Sequence, residues 1–500
     1  EWQQLFKQKV EELKLLHWRR YLARTGDNSA FQAFKFTKAK QSSLIDPLYR
    51  EDGSLSSETE EQANILFNGT SVITNDCDLA DILPFEPETS LAFPPITVSE
   101  VKRTLLSLPP KKAAGPDSLP NEILKSCSQS LTPFLVPLFN ACVRQGYFPM
   151  AWRQATTAII RKADKPDYSD PNAYRPIALL CTLGKLLEKI LNERLIHWVE
   201  SKNVLPTGHI GGRRGRNIND ALVLFTSWVK QQWRSGHIVA GLFLDVKSAY
   251  PSVFRERLID RLQALSCPAY LISLINSFLT DRTTTMRLGD YTSSSFPIPR
   301  GLPQGSPLSV TLYVIYNSGL FIDSSCKLTD SRISIGYVDD VVHLVAARTL
   351  PEALEMLQSE GSRSLQWGTK YGAVFDKKKA VPMIFSKRQV NPPPFNFGGL
   401  ELHFSKTTRW LGIILDQRLT FSEQVNKVKN IGSLSLLQLG RLVKSTYGLN
   451  PKLTRRLVIA VVYSRVLFGS IAWYTTRNAK TVKDAVSYTH LRAHETRHDL

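Results

Sequence analysis

The stretch Ile333-Ser334-Ile335-Gly336-Tyr337-Val338-Asp339-Asp340-Val341-Val342-His343-Leu344-Val345 sets two adjacent carboxylates between two apolar runs. Each run has the length and β-branched content of a strand, so the stretch predicts a hairpin with both acids at its tip. A carboxylate at the end of an apolar strand loses hydration, and two neighbouring carboxylates repel each other. Bound cations relieve both costs, and hard oxygen ligands suit Mg²⁺, which keeps water or substrate phosphate in its other positions. An Asp-Asp pair taken alone is most often a polar turn, so its meaning depends on what accompanies it.

Its first companion is Ile238-Val239-Ala240-Gly241-Leu242-Phe243-Leu244, a continuous apolar run that ends in Asp245. Such a run reads as a strand buried on both faces. Between Asp245 and Asp339 there is room for a helix over Phe254 to Leu265, a connection and the segment Gly301-Leu302-Pro303-Gln304-Gly305. Three carboxylates on neighbouring strands can hold two ions about 3.5–4 Å apart. Phosphoryl transfer asks for little else, since positioning and charge neutralisation do most of the work.

The rest of the chain supplies the setting. Its 500 residues predict several packed units, and 43% hydrophobic and 21% charged residues argue against wholesale disorder. A net charge of +19 calls for an acidic partner, nucleic acid or an anionic membrane. Residues 51 to 100 carry only acids, whereas residues 370 to 456 are strongly basic. Residues 1 to about 40 read as a helical lead-in, and the acidic stretch as a surface segment or linker. A helix is predicted from near Ser99, helical patterns continue to about Gln145, and residues 422 to 474 are mainly helical. The six cysteines form no Cys-x-x-Cys pair, so no zinc knuckle is expected. The apolar stretch Leu457 to Trp473 is broken by Arg465 and reads as a buried helix instead of a membrane span. Glu1 in place of Met suggests a piece of a longer polypeptide.

Several stretches in order resemble the reverse transcriptases, and within them the non-LTR (LINE-type) retrotransposon enzymes of the fungal kind. They are Gly115-Pro116-Asp117, Tyr174-Arg175-Pro176-Ile177-Ala178-Leu179-Leu180, Phe243-Leu244-Asp245-Val246, Gly301 through Ser309, Tyr337-Val338-Asp339-Asp340 and Leu411-Gly412. The resemblance implies an α+β right-hand polymerase with fingers, a palm built on an antiparallel sheet, and a helical thumb. It assigns 1–90 to a lead-in, 91–236 to fingers, 237–420 to the palm and 421–486 to the thumb, with the reverse transcriptase domain over about 143–420.

The resemblance also implies roles. Asp245, Asp339 and Asp340 become catalytic metal ligands with the Val246 carbonyl beside them, holding two Mg²⁺ ions or Mn²⁺ in their place. Tyr250 takes the position of an aromatic residue that blocks a ribose 2′-hydroxyl, a packed core tyrosine being the other reading. Gln304 and Gly305 lie beside incoming nucleotide and template. Lys162, Lys165 and Arg175 are the candidates for the triphosphate, and Arg175 leads because a guanidinium grips phosphate bidentately. Lys379, in the run Lys377-Lys378-Lys379, is the candidate for the leaving pyrophosphate.

Nucleic-acid contacts are expected from Arg213, Arg214 and Arg216, where basic residues alternate with glycine, and from Lys427 and Lys429 of the thumb. A flexible surface loop is the alternative for the arginine segment. The expected partners are an RNA template, a DNA primer and dNTPs, with no membrane. An intracellular site is expected, nuclear if the parent element is active. Two rivals remain open: an inactive nucleic-acid-binding remnant, and an RNA-dependent RNA polymerase. The last residues, 487–500, do not resemble the family, and His490, His494 and His498 there are read as part of a non-native tail.

Overall fold

The computed structural model describes residues 2–37, 45–71, 76–86, 92–163, 165–321, 326–443 and 448–475, so the tail histidines lie outside the described residues. The chain divides into two compact units, Ser43–Ser405 and Glu1–Ser42 with Lys406–Leu500.

At the centre of the larger unit is a four-stranded antiparallel sheet, in the order Val381–Phe385, Ile238–Leu244, Asp340–Ala347, Arg332–Tyr337. The unbroken apolar run of Ile238–Leu244 is explained by helices on both faces. Phe243 meets Phe225 of the helix Ile218–Arg234, their ring centroids 6.1 Å apart. On the other face, Leu242 lies under Gly361 of the helix Leu350–Tyr371. The helix Ile218–Arg234 is held to both sheet edges or their loops by its side chains. Trp228 Nε1 donates to the Asp330 carbonyl at 3.2 Å, and Trp233 Nε1 to the Phe385 carbonyl at 3.0 Å.

A second four-stranded sheet runs in the order Tyr174–Leu180, Gln154–Arg161, Arg282–Leu288, Tyr291–Ile298. Gln154–Arg161 pairs antiparallel with Tyr174–Leu180 and parallel with Arg282–Leu288. Chain from between the two acid-bearing strands thus completes a sheet begun far upstream. The acidic stretch, expected to be a surface segment or linker, holds a helix packed on this sheet. Thr59–Ser71 is a helix whose Ala63, Leu66 and Phe67 pack with Tyr174, Met286 and Leu288 on this sheet. Its acids suit that role: Glu60 and Glu61 sit in the first turn, where the helix dipole favours negative charge, and Glu61 also pairs with Arg50 at 2.6 Å.

The long helix Thr182–Ser201 buries Leu186, Leu187, Ile190, Leu191 and Leu195 in the main core. Fully buried leucines contribute on the order of 2 kcal/mol each by removal of apolar surface from water.

In the smaller unit, the hairpin Thr407–Trp410 with Ile413–Asp416 leads into the helix Ser422–Gly440. Asp416 ties the two together, accepting from the backbone N–H of Arg418, Thr420 and Phe421. Shorter helical pieces follow over Pro451–Leu457, Val458–Tyr463, Ser464–Val466 and Ser470–Trp473. The lead-in forms the helices Trp2–Ala23 and Asp27–Phe36, and the Thr37 carbonyl after them accepts from Arg441 at 3.1 Å. Among the described residues no helix is long and apolar enough to cross a membrane.

Candidate active site

The three aspartates meet at one end of the central sheet. Leu244 is paired with Val341 and Tyr337 with Asp340, so Asp245 emerges from its strand abreast of the Asp339-Asp340 tip. Val338 and Asp339 are the central residues of a two-residue turn, and Val338 stands at φ +63°. A two-residue hairpin turn with φ > 0 at its first central position normally carries glycine there, and a β-branched residue costs about 1–3 kcal/mol.

The electrostatics are those of crowded, partly dehydrated acids. Burial, with Asp339 and Asp245 adding negative charge, pushes Asp340 up to about 6. Asp339 is raised too, by burial first and then by Asp245, with Arg175 pulling the other way. Asp245 meets a cation directly, because Lys379 Nζ lies 2.8 Å from its Oδ2 and 3.3 Å from Asp376. Its neighbour Lys377 is turned away to the Gly398 carbonyl, so of the two it is Lys379 that reaches the site.

The donor chemistry fits divalent cations: three carboxylates at one sheet end, two of them held above their ordinary pKa by burial and mutual charge. Next to Asp245, Val246 is bridged to Phe375: Lys247 N–H donates to the Val374 carbonyl at 2.8 Å and Asp376 N–H to the Asp245 carbonyl at 2.9 Å. Among the described residues no three His, Cys, Asp or Glu side chains already close around a single point. With Lys379 bridging Asp245, the acids are gathered at one edge without forming a finished cage.

Around the acids stand the other expected residues. Tyr250 stacks on Tyr313, centroids 5.3 Å apart, and burial with the Asp339 charge raises its hydroxyl to about 12. Tyr250 is therefore a packed ring that feels the Asp339 charge. The sequence reading missed Tyr313, which is buried in Ser309–Tyr316 with a hydroxyl that makes no hydrogen bond among the described residues. A phenol within the otherwise apolar run Leu312 to Ile315 was the available signal.

Gly305 is required on steric grounds. Its φ is +141°, and a Cβ there would collide with the Ala178 carbonyl, whose own N–H donates to the Gln304 carbonyl at 2.8 Å. The Gly-Leu-Pro-Gln-Gly segment is bonded on its other side to the Asp245 loop: Gly301 N–H to Val253, Leu302 N–H to Tyr250, both at 2.8 Å. An open pocket beside the Gln304–Ala178 contact is lined by Gln304, Pro176, Ala178, Arg282 and Arg300 among others. Arg175 is exposed on the Tyr174–Leu180 strand. Burial first, and then the charges of Lys165, Arg175 and Lys379, depress the Lys162 ammonium. Lys162 Nζ meanwhile donates to the Asn172 carbonyl at 2.9 Å.

Three of the expected nucleic-acid residues are otherwise engaged. Arg213 is buried, 2.5 Å from Glu200, and donates to the Pro206 and His209 carbonyls, which leaves no face for a phosphate. Arg216 donates to the Thr207 carbonyl, and Lys427 to the Gly412 carbonyl at 2.7 Å. Arg214 and Lys429 remain exposed. The glycines of the arginine segment serve close packing: Gly211 lies against Tyr337 and Val338 with no space for a Cβ.

A family model for the reverse transcriptases (RNA-dependent DNA polymerases) matches residues 160–415, which contain all three aspartates. The chain belongs to the reverse transcriptase family. Its relatives are non-LTR retrotransposon proteins. It is 28% identical over 467 residues to a probable RNA-directed DNA polymerase from transposon BS of Drosophila melanogaster, covering 89% of this chain and 51% of that protein. To the RNA-directed DNA polymerase of the mobile element jockey from the same fly it is 29% identical, covering 69% of this chain and 38% of that protein. The chain thus spans about half the length of these relatives or less. Among solved structures, apo telomerase from Candida tropicalis aligns with a TM-score of 0.39 and 13% identity over 60% of this chain and 59% of that one. The chain has the mixed α and β right-hand architecture of that family.

Proposed function

We propose that this chain copies an RNA template into DNA as the polymerase of a non-LTR retrotransposon, extending a DNA primer with dNTPs. The observation that carries the reading is the convergence of Asp245, Asp339 and Asp340 at one palm edge, faced by Lys379 and Arg175. The three carboxylates, with the Val246 carbonyl, would hold two Mg²⁺ ions, or Mn²⁺. When bound, such ions sharpen the nucleophilicity of a primer 3′-hydroxyl and offset charge on the leaving group.

The remaining work falls to the chain's own groups. Arg175, Lys162 and Lys165 give the triphosphate a cationic cradle across from the acids, Arg175 by two parallel N–H donors. Lys379 has to exchange Asp245 for phosphate oxygen as pyrophosphate leaves, a short movement for an exposed lysine. Tyr250, backed by Tyr313, stands where a ribose 2′-hydroxyl would collide with the ring. Gln304, which lines the pocket, and the adjoining Gly305 lie on the template side. Exposed Arg214 and Lys429 are the basic residues still available to a nucleic-acid backbone. Such a role places the chain in the nucleus when the parent element is active.

Primer extension on a defined RNA with dNTPs and Mg²⁺ tests this. Wild-type chain should extend the primer, and Asp339→Asn should lose at least about a thousandfold in rate, the scale of removing a principal charge-stabilising group. Extension by Asp339→Asn at the wild-type rate would remove the palm acids from the chemistry.

A further inference from the structure

The strained Val338 turn is gripped from three sides by groups with no part in the chemistry above. Asn317, fully buried just past the helix Ser309–Tyr316, donates its Nδ2 to the Val338 carbonyl at 2.7 Å. Its Oδ1 has no partner among the described residues, so this bond is the one that orients the amide. On a second side is the Gly208–Gly212 loop. Ile210 and Gly211 N–H both donate to the Gly336 carbonyl, at 2.8 and 3.1 Å, and Gly336 N–H donates to Gly208 at 3.0 Å. A Cβ on Gly211 would stand 2.5 Å from Tyr337 Cα and the Val338 nitrogen. On the third, Gly336 is wedged against the rings of Phe321 and His209, themselves 4.5 Å apart, again without room for a Cβ.

A residue held at an unfavourable φ stays there only when its surroundings over-determine it. Here the two residues that follow are Asp339 and Asp340. Moving the turn moves both carboxylates relative to Asp245, and small misplacements of reacting groups are costly in rate. We propose that Asn317 is a positioning residue: its buried amide fixes the Val338 carbonyl and so sets where the Asp339-Asp340 pair stands. The side chain suits the task. An apolar residue would leave the carbonyl buried without a donor, and a carboxylate would bring a further negative charge toward it. The kinetic consequence rests on the polymerase reading, whereas the brace itself does not.

The experiment is a double-mutant cycle of Asn317→Ala with Val338→Gly, read in two ways. Glycine adopts positive φ without strain, so the Val338→Gly turn no longer needs a brace. In hydrogen–deuterium exchange, Asn317→Ala should speed exchange across the 333–345 hairpin while leaving the 154–180 strands unchanged, and the effect should shrink with glycine at 338. In primer extension, Asn317→Ala should lower kcat by about tenfold, equivalent to about 1.4 kcal/mol, with KM for primer–template within about twofold. That loss, too, should be smaller in the Val338→Gly background. Unchanged hairpin exchange, or an equal kcat loss in both backgrounds, overturns the assignment. If wild-type chain extends no primer, the polymerase reading fails and the exchange data alone decide the brace. Should Asn317→Ala not fold, the isosteric Asn317→Asp takes its place: recovery of folding in the Val338→Gly background supports the brace, and failure to recover sinks it.

Discussion

Replacing Glu188 with glutamine is expected to stabilise the chain above neutral pH while leaving it nearly unchanged in mild acid. Glu188 is 0% exposed on the helix Thr182–Ser201. One oxygen accepts from Ser306 Oγ, beneath the Gly-Leu-Pro-Gln-Gly segment, and the other has no partner among the described residues. Burial outweighs that hydrogen bond and the charges of Lys185 and Arg282, raising the carboxyl from 4.5 to about 7. The folded state therefore holds the proton more tightly than the unfolded one. The associated stability is complete below the unfolded pKa and is lost as pH rises through the folded value. A rise of roughly two and a half units, at about 1.4 kcal/mol each, makes that loss on the order of 3 kcal/mol. Glutamine cannot ionise and escapes it, but loses some of the Ser306 bond, so the net gain should be roughly 2 kcal/mol near pH 8 and close to zero near pH 5. Urea unfolding followed by tryptophan fluorescence, run on both proteins at several pH values, measures the difference. A gap that does not widen between about pH 5 and pH 7 would refute the argument that burial dominates this carboxyl.

Tyr250→Ala should raise ribonucleotide incorporation relative to dNTP by at least about tenfold in single-turnover extension; an unchanged ratio would leave Tyr250 as a packing partner of Tyr313. Arg213→Ala should cost about 2 kcal/mol in thermal melting, because Glu200 loses a partner in a pair that is buried on one side only. Arg214→Ala should leave melting unchanged while flattening the salt dependence of template binding, and the reverse pattern would restore Arg213 as the nucleic-acid contact. Gly305→Ala should cost about 2–3 kcal/mol through its collision with Ala178 and its positive φ, and full stability in that variant would show that the segment can shift at little cost.

The acid-bearing strands were legible because burial on both faces leaves an unbroken apolar run. Ile238–Leu244 has the expected bounds, and the Asp-Asp hairpin forms as its two runs imply. The threonine-rich strand Arg282–Leu288 was not legible: its signal is pairing, and only Arg282, Thr284, Met286 and Leu288 are buried, a mixture that does not stand out as a core run. The helix Thr59–Ser71 was hidden by its charge, since a short apolar face on an acidic segment looks like linker. For the site, residue chemistry singled out the carboxylates, Lys379 and Tyr250, and the fold brings these residues together. The same reading misjudged Arg213 and the glycines before it, because glycine next to arginine suits a phosphate and equally suits a backbone pressed against another backbone. Tertiary contact with Tyr337 and Val338 chose between these.

The parallel pairing of Gln154–Ala158 with Thr283–Arg287 has a consequence for synthesis. On the ribosome, the early strands emerge with an open edge and must wait for the helix pair, the Asp245 strand and two further helices before their partner exists. Such distant pairings form slowly, and an unpaired edge invites association with other chains. Nascent chains stalled before Leu288 should therefore be the ones that recruit chaperones.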